Sequence, residues 1–472
     1  MDFINTYTRL PSHFYAPIRP AAAPAPRLIA WNAELATDLG LELPDADREQ
    51  LARWFSGGES LPGSETIALA YAGHQFGHFV PQLGDGRAAL LGEVRSPVDG
   101  RGYDIQLKGS GETPFSRRGD GKSSLGPVIR EYLLSEAMHR LGVPTTRALA
   151  AVATGETVIR ESLEPGGILT RVASSHVRVG TFEYFAGRHD LEALRQLTHY
   201  AIERHYPDAA QADHPVSAFF AQVVLAQARL IAHWMALGFI HGVMNTDNMA
   251  ISGETLDYGP CAFMDEFHIQ KVFSSIDHQG RYAYGQQATI ATWNLARLAE
   301  CLSHLEPRPS AFQEALERFQ PEFEDHYFAL MAKRLGLESL NEDDPALITA
   351  WLQHLQDHSL DYNRSFVELR ERIGIGGPPR FGEFEERWLR RIVEQPGAAD
   401  RARTNMASAN PLYIPRNHQV ERAIRAAFRN DFSVFQELHD VLSEPYTEQP
   451  ERGDYAKPPE PNERVEMTFC GT

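Results

Sequence analysis

Three cysteines in 472 residues leave no material for a disulfide framework, and none forms a Cys-x-x-Cys pair. That usage suits a reducing cytosol. Positive charge is also short: the net charge is −18 and the pI about 5.5. This argues against nucleic acid as the principal partner, because phosphate backbones demand a basic surface. Met1 to Ala30 lacks the apolar run of a signal peptide and the Arg-rich pattern of a transit peptide. The most apolar stretch, Ser217 to Ile240, is interrupted by Gln222, Gln227, Arg229 and His233. It is expected as a buried core helix and not as a membrane span. Neither a membrane nor nucleic acid is therefore expected as a partner, and a cytoplasmic location is. His74, His78 and His241 do not cluster with zinc-ligand spacing, and no internal repeat is present. What remains is 43% hydrophobic and 23% charged, a globular composition in a chain long enough for two lobes or for a domain with extensions.

One further absence is the most informative. His241-Gly-Val-Met-Asn-Thr-Asp-Asn248 has the His and Asn of a kinase catalytic loop at the right spacing, but Val243 occupies the position of the catalytic Asp. Valine accepts no proton. A carboxylate stands instead at Asp247, beside the Asn248 that would hold metal. Nine residues after Asn248, Asp257-Tyr-Gly259 reads as the Asp-Phe-Gly metal element. The metal equipment is retained and the base has moved, so ordinary γ-phosphoryl transfer is not the expected chemistry.

Along the chain the pattern divides. Residues 17–27 form a Pro/Ala-rich arm that cannot be regular throughout. From about Ala68 to Thr181, short apolar runs alternate with glycines; Arg87–Val94 and Tyr103–Lys108 predict strands, and Val128–Leu141 an amphipathic helix. From about Asp190 the pattern is almost wholly helical, broken by strand-like Met249–Ser252 and Ala262–Asp265. The tail from Glu444 is rich in Pro and Glu. We expect an α+β, protein-kinase-like bilobal fold with a strand-rich N-lobe and a mainly helical C-lobe. Its parts would be an extension (1–60), an N-lobe with a phosphate-binding flap (61–189), a C-lobe with catalytic and metal loops (190–443) and a tail (444–472).

Upstream motifs fit that layout, each with a plainer alternative. Gly84-Asp-Gly86-Arg87 precedes a strand and offers a backbone phosphate nest, or a simple turn. Lys108 ends a strand, as the kinase phosphate lysine does, or is an edge charge. Glu131, in the first turns of the following helix, would pair with Lys108, or is a surface carboxylate favoured near a helix N-terminus. Between them, Gly109–Ser124 stops one glycine short of a phosphate-loop match, with Ser116 at the first-glycine position. It is better read as a mobile basic flap over phosphates. Arg171 and Arg178, seven apart, suit forked contacts to phosphate oxygens, or are structural.

Taken together, Tyr71-Ala-Gly-His-Gln-Phe-Gly77, Leu83–Arg87, Gln106–Gly111, Arg118–Gly121, His241–Asn248, Leu256–Gly259, Trp293–Leu295 and Asn410–His418 resemble the selenoprotein O family. Its members are kinase-like protein adenylyltransferases, and the likeness spans most of the chain. The resemblance implies that ATP lies flipped relative to kinases, so that AMP passes to a Ser, Thr or Tyr hydroxyl of a protein. It further implies ATP binding by Gly84, Gly86, Arg87, Lys108, Asp120, Gly121, Arg171 and Arg178, with Asp247 as base. Asn248 and Asp257 would hold Mg²⁺ (or Mn²⁺). Family members often carry a selenocysteine or cysteine three residues from the C-terminus, where Cys470 stands, which implies a possible redox role there. Cys261 and Cys301, in apolar contexts, read as buried structural residues. The alternatives are a small-molecule or protein kinase, against which Val243 counts, and a nucleotide-binding pseudokinase scaffold, against which the retained Asp247, Asn248 and Asp257 count.

Overall fold

The computed structural model describes residues 2–41, 43, 46–306, 308, 310–393 and 397–469. Among these residues twelve strands are formed: β1 Tyr15–Pro17, β2 Arg27–Trp31, β3 Ile67–Leu69, β4 Gly73–Gln75, β5 His78–Val80, β6 Ala88–Arg95, β7 Gly102–Lys108, β8 Ser123–Ser124, β9 Arg147–Ile159, β10 Leu163–Ala173, β11 Phe239–Ile240 and β12 Ala262–Phe263. The first seven α-helices among the described residues are α1 Ala33–Asp38, α2 Arg48–Phe55, α3 Leu125–Arg140, α4 Val179–Ala186, α5 Leu191–His205, α6 Pro215–Leu237 and α7 Gln287–Leu302. Further helices run from Ser310 to Leu442. The chain is thus α+β, with its strands concentrated before Asp190 and its helices after it.

Eight strands make one antiparallel sheet in the order β1-β3-β6-β7-β10-β9-β2, with β8 pairing β10. Alternation along the strands gives the sheet two apolar faces. Ala89, Leu91, Ile105, Leu107, Ile168 and Val172 bury against Leu35 of α1 and Leu51 and Phe55 of α2. Leu69, Leu90 and Leu169 turn the other way, into the core shared with Ile129 and Leu133 of α3. Residues 1–60, expected as an extension, supply both edges of this sheet through β1 and β2. The 17–27 arm is the connection between them.

The expected strands and the 128–141 helix are present with modest shifts. The strand expected at 249–252 is reduced to single bridges, Met249 with Thr255 and Ala250 with Arg178. α6 is the one helix among the described residues long and apolar enough to cross a membrane. Here it packs in the helical core, burying Phe219, Phe220, Val223 and Ile231, while Gln227 donates to the Ala250 carbonyl at 2.7 Å.

Candidate active site

The short β11–β12 ladder pairs Phe239 with Phe263 and Ile240 with Ala262, so the chain between them, 241–261, is a closed loop. His241 braces it. Its ring stacks on Trp234, its Nε2–H donates to the Leu256 carbonyl at 3.0 Å, and its Nδ1 accepts from the Val243 amide at 3.4 Å. Burial keeps this imidazole neutral by lowering its pKa. Val243 cannot act through its side chain, but its carbonyl accepts the Asn248 amide N–H at 3.0 Å. That contact commits the amide nitrogen and leaves the Asn248 oxygen for a ligand.

A cavity of about 730 Å³ lies between the sheet and this loop, within the range of small-molecule sites. Gly84, Gly86, Arg87, Lys108, Asp120, Gly121, Glu131, Arg171, Arg178, Asp247, Asn248 and Asp257 all line it. Every candidate of the sequence analysis is therefore brought to one place, except Cys470, which lies outside the described residues. Eight Lys and Arg against five Asp and Glu line the cavity, a local reversal of the chain's acidic balance.

The register of the sheet explains the cationic wall. Gln106 and Lys108, two apart on β7, face the same side; Arg171 on β10 lies opposite Gln106, and Leu169 opposite Lys108. Lys108 Nζ donates to Glu131 at 2.7 Å and pairs with Asp257. Arg171 donates from Nε to Glu131 at 2.8 Å and from Nη2 to Asp257 at 2.7 Å. The cations are not bare but held in a four-residue lattice. Asp257 adopts a left-handed φ of 70°, which Asp tolerates better than most residues. Burial pulls its pKa upward, but Arg171 and Lys108 outweigh burial and hold the carboxyl well below the usual range.

Arg178 precedes α4, its amide bonded to Thr181 Oγ1 at 3.2 Å. Its guanidinium lies over Tyr71 with 4.3 Å to the ring centroid, donates to the His176 carbonyl at 3.2 Å and to the Asp247 carbonyl at 3.0 Å, and reaches Asp85 at 4.0 Å. Asp247 itself is buried. Burial pushes its carboxyl up to about 6, against the opposing pull of Arg178. Asp85 was not singled out from sequence, although it sits inside the Gly84–Gly86 motif. It accepts from the Leu69 amide and from Gln106 Nε2, both at 3.1 Å, and burial raises its pKa.

The 109–124 flap is fastened rather than loose. Thr113 Oγ1 donates to the Asp85 carbonyl at 2.7 Å, Ser116 Oγ donates to the Gly86 carbonyl, and Gly111 N–H to the Gly121 carbonyl at 3.0 Å. Two glycines allow this. Gly84 (φ 71°) has the Phe115 ring 2.3 Å from where a Cβ would lie, and Gly121 (φ 64°) has the Gly111 carbonyl at 2.1 Å. Asp120 is exposed and grips Arg160 through two contacts of 3.0 and 3.1 Å; that hydrogen bonding lowers its pKa. Arg160, at the β9–β10 turn, carried no sequence signal.

Among the described residues no three His, Cys, Asp or Glu gather as a metal site. The donor set nonetheless fits a hard cation that keeps waters and phosphate oxygens among its ligands. Asn248 lines the cavity with its amide nitrogen committed to Val243, and Lys108 and Arg171 engage one of the two Asp257 oxygens, Oδ1.

Comparison with known proteins converges on one group. A protein nucleotidyltransferase YdiU from Bradyrhizobium sp. (strain ORS 278) is 51% identical over 488 residues, covering 100% of this chain and 99% of its own. A protein of the same name from Maridesulfovibrio salexigens is 52% identical over 488 residues, covering 100% and 98%. A third, from Rhodopseudomonas palustris (strain BisB5), is 51% identical over 487 residues. The chain is of the protein nucleotidyltransferase class. The family model for protein adenylyltransferase SelO matches residues 1–443, and the chain belongs to that family.

Proposed function

We propose that this protein transfers AMP from ATP to Ser, Thr or Tyr hydroxyls of other proteins. The acceptor oxygen attacks the α-phosphorus, the α–β phosphoanhydride bond breaks, pyrophosphate leaves, and the hydroxyl proton passes to Asp247. The observation that carries this reading is the division of labour in the 241–248 loop: Val243 contributes main-chain contacts alone, while Asp247 brings the loop's carboxylate into the cavity. In this reading the fold is protein-kinase-like, with a strand-rich lobe (61–189) over a helical lobe (190–443). ATP lies reversed, its terminal phosphates toward Lys108, Arg171 and Arg178, and its remainder under the loops of Gly84, Gly86, Arg87, Asp120 and Gly121. Asn248 and Asp257 would hold Mg²⁺ or Mn²⁺, which when bound would supply positive charge to offset the negative charge that develops as pyrophosphate leaves. Glu131 keeps Lys108 and Arg171 extended, and Arg178 steadies the main chain of Asp247. The acidic charge balance and the sparse cysteines support a cytoplasmic enzyme whose partners are proteins and ATP, not nucleic acid or membrane.

The test is incubation with ATP labelled at the α- or the γ-phosphate, with Mg²⁺ or Mn²⁺, followed by a search for label on protein. α-Label without γ-label is expected. γ-Label without α-label would return the chain to the phosphotransferases.

A further inference from the structure

The 73–80 hairpin of β4 and β5 is paired only with itself as a two-stranded ladder, yet it is fixed to the catalytic loop residue by residue. The His74 amide donates to Thr246 Oγ1 at 2.7 Å and the Phe76 amide to Asn245 Oδ1 at 3.0 Å. Gln75 Nε2 donates to Asp247 Oδ2 at 3.3 Å. The attachment is braced from below. Thr246 Oγ1 donates to Glu183, which also takes the His74 Nδ1–H, and Tyr282 donates to Asn245 Oδ1 at 2.6 Å.

The geometry points to Gln75 as the positioning residue of Asp247, with Gly73 providing the seat for its carboxylate. A Cβ on Gly73 would lie 2.5 Å from Asp247 Oδ1 and 2.9 Å from its Cβ, so one oxygen rests against the bare main chain of β4. That oxygen is buried and, among the described residues, receives no hydrogen bond. Among the described residues the other oxygen has one side-chain donor, Gln75. Contact on one side and a donor on the other fix the plane of a carboxylate that would otherwise rotate freely. A carboxamide does this without placing a further charge beside Asn248 and the phosphates. The donor comes from a segment 172 residues away, so alignment of the base depends on the seating of the hairpin.

This inference rests on the reading of Asp247 as the base, and the test separates the two. Gln75→Glu keeps the shape and loses the donor; Gln75→Ala removes both. Transfer of α-label to the chain itself and to casein, affinity for ATP by calorimetry, and thermal midpoint are measured for each variant, for Asp247→Ala, and for the double variant Gln75→Ala/Asp247→Ala. Both Gln75 variants are expected to lower kcat by about 10- to 100-fold, the scale of a misplaced catalytic group. KM and Kd for ATP should stay within about 3-fold, and Gln75→Ala should cost nothing further once Asp247 is gone. Normal kcat in both Gln75 variants alongside an impaired Asp247→Ala would overturn the inference and leave the base intact. An equal fractional loss from Gln75→Ala in the presence and absence of Asp247 would overturn it as well. Normal transfer by Asp247→Ala would remove the base itself, and with it the role of Gln75.

Discussion

Arg178 Nη1 donates to the main-chain carbonyl of Asp247 at 3.0 Å, joining a cation of the cavity wall to the carboxylate loop across 69 residues of sequence. In the proposed function this guanidinium meets the terminal phosphates and also steadies the loop of the base. Its substitution should therefore show in both binding and turnover.

Replacing Arg178 by Ala is expected to weaken ATP by about 10- to 150-fold, the worth of one charge-assisted hydrogen bond of about 1.5–3 kcal/mol. AMP, which lacks the β- and γ-phosphates, should lose far less. Turnover at saturating ATP should also fall, because the Asp247 carbonyl loses its donor. Calorimetric titration of both nucleotides checks this; equal losses would mean that Arg178 does not read the terminal phosphates.

Asp247 and Asp257 should separate chemistry from binding. Asp247→Ala should reduce transfer by about 10²–10⁴ with ATP affinity changed only a few-fold. Asp257→Ala should weaken metal-dependent ATP binding as well as turnover, because its carboxylate is one of the two side chains proposed to hold the metal. Titrations with and without Mg²⁺ discriminate the two: a metal-independent defect in Asp257→Ala would argue against its role as a ligand.

Glu131 is buried and bonded to both Lys108 and Arg171. Glu131→Gln leaves two buried cations to share Asp257, and a loss of about 3–5 kcal/mol of stability is expected, as for breaking one side of a buried pair. Urea unfolding at neutral pH measures it. A change below about 1 kcal/mol would show that the lattice tolerates the missing charge.

His205 contributes a pH dependence to stability. Burial, reinforced by Arg204, lowers its pKa to about 3, and its Nε2 is bonded to Ser175 Oγ at 2.8 Å. The unfolded chain takes up this proton near pH 6.5, whereas the folded chain does not until far lower. The neutral ring's contribution is therefore present above about 6.5 and is lost as pH falls toward 3. Between pH 7 and 5, His205→Gln should reduce the acid-induced loss of unfolding free energy by about 1–2 kcal/mol. Parallel curves for the two proteins would show that His205 titrates normally.

Much of the site was legible in the chain because its signals are local. Spacing within 241–257 singled out the loop, the valine at the position of the base and the candidate metal residues Asn248 and Asp257 without reference to any other segment, and all of them line the cavity. Alternation of apolar residues placed β6 and β7, and helical periodicity placed α3, because each pattern is set by the geometry of a single element. Gly84 and Gly121 stood out in the sequence as parts of glycine-rich phosphate loops, and the structure adds that each sits at a close approach that only a residue without a Cβ permits. The pairing of Lys108 with Glu131 was legible too, as an expectation drawn from the order of strand and helix.

Tertiary structure alone decided what spans long separations. Lys108 meets Asp257 across 149 residues and Gln75 meets Asp247 across 172. Nothing in the local pattern of either segment encodes its partner. The same holds for the lattice that leaves the cations paired, for the fastening of the flap by Thr113 and Ser116, and for the edge strands that residues 1–60 contribute. Composition and spacing determined which chemical groups this chain carries and in what order. Their alignment follows from the sheet register and from burial, because only packing can bring distant side chains to hydrogen-bonding distance and offset the entropy of holding them there.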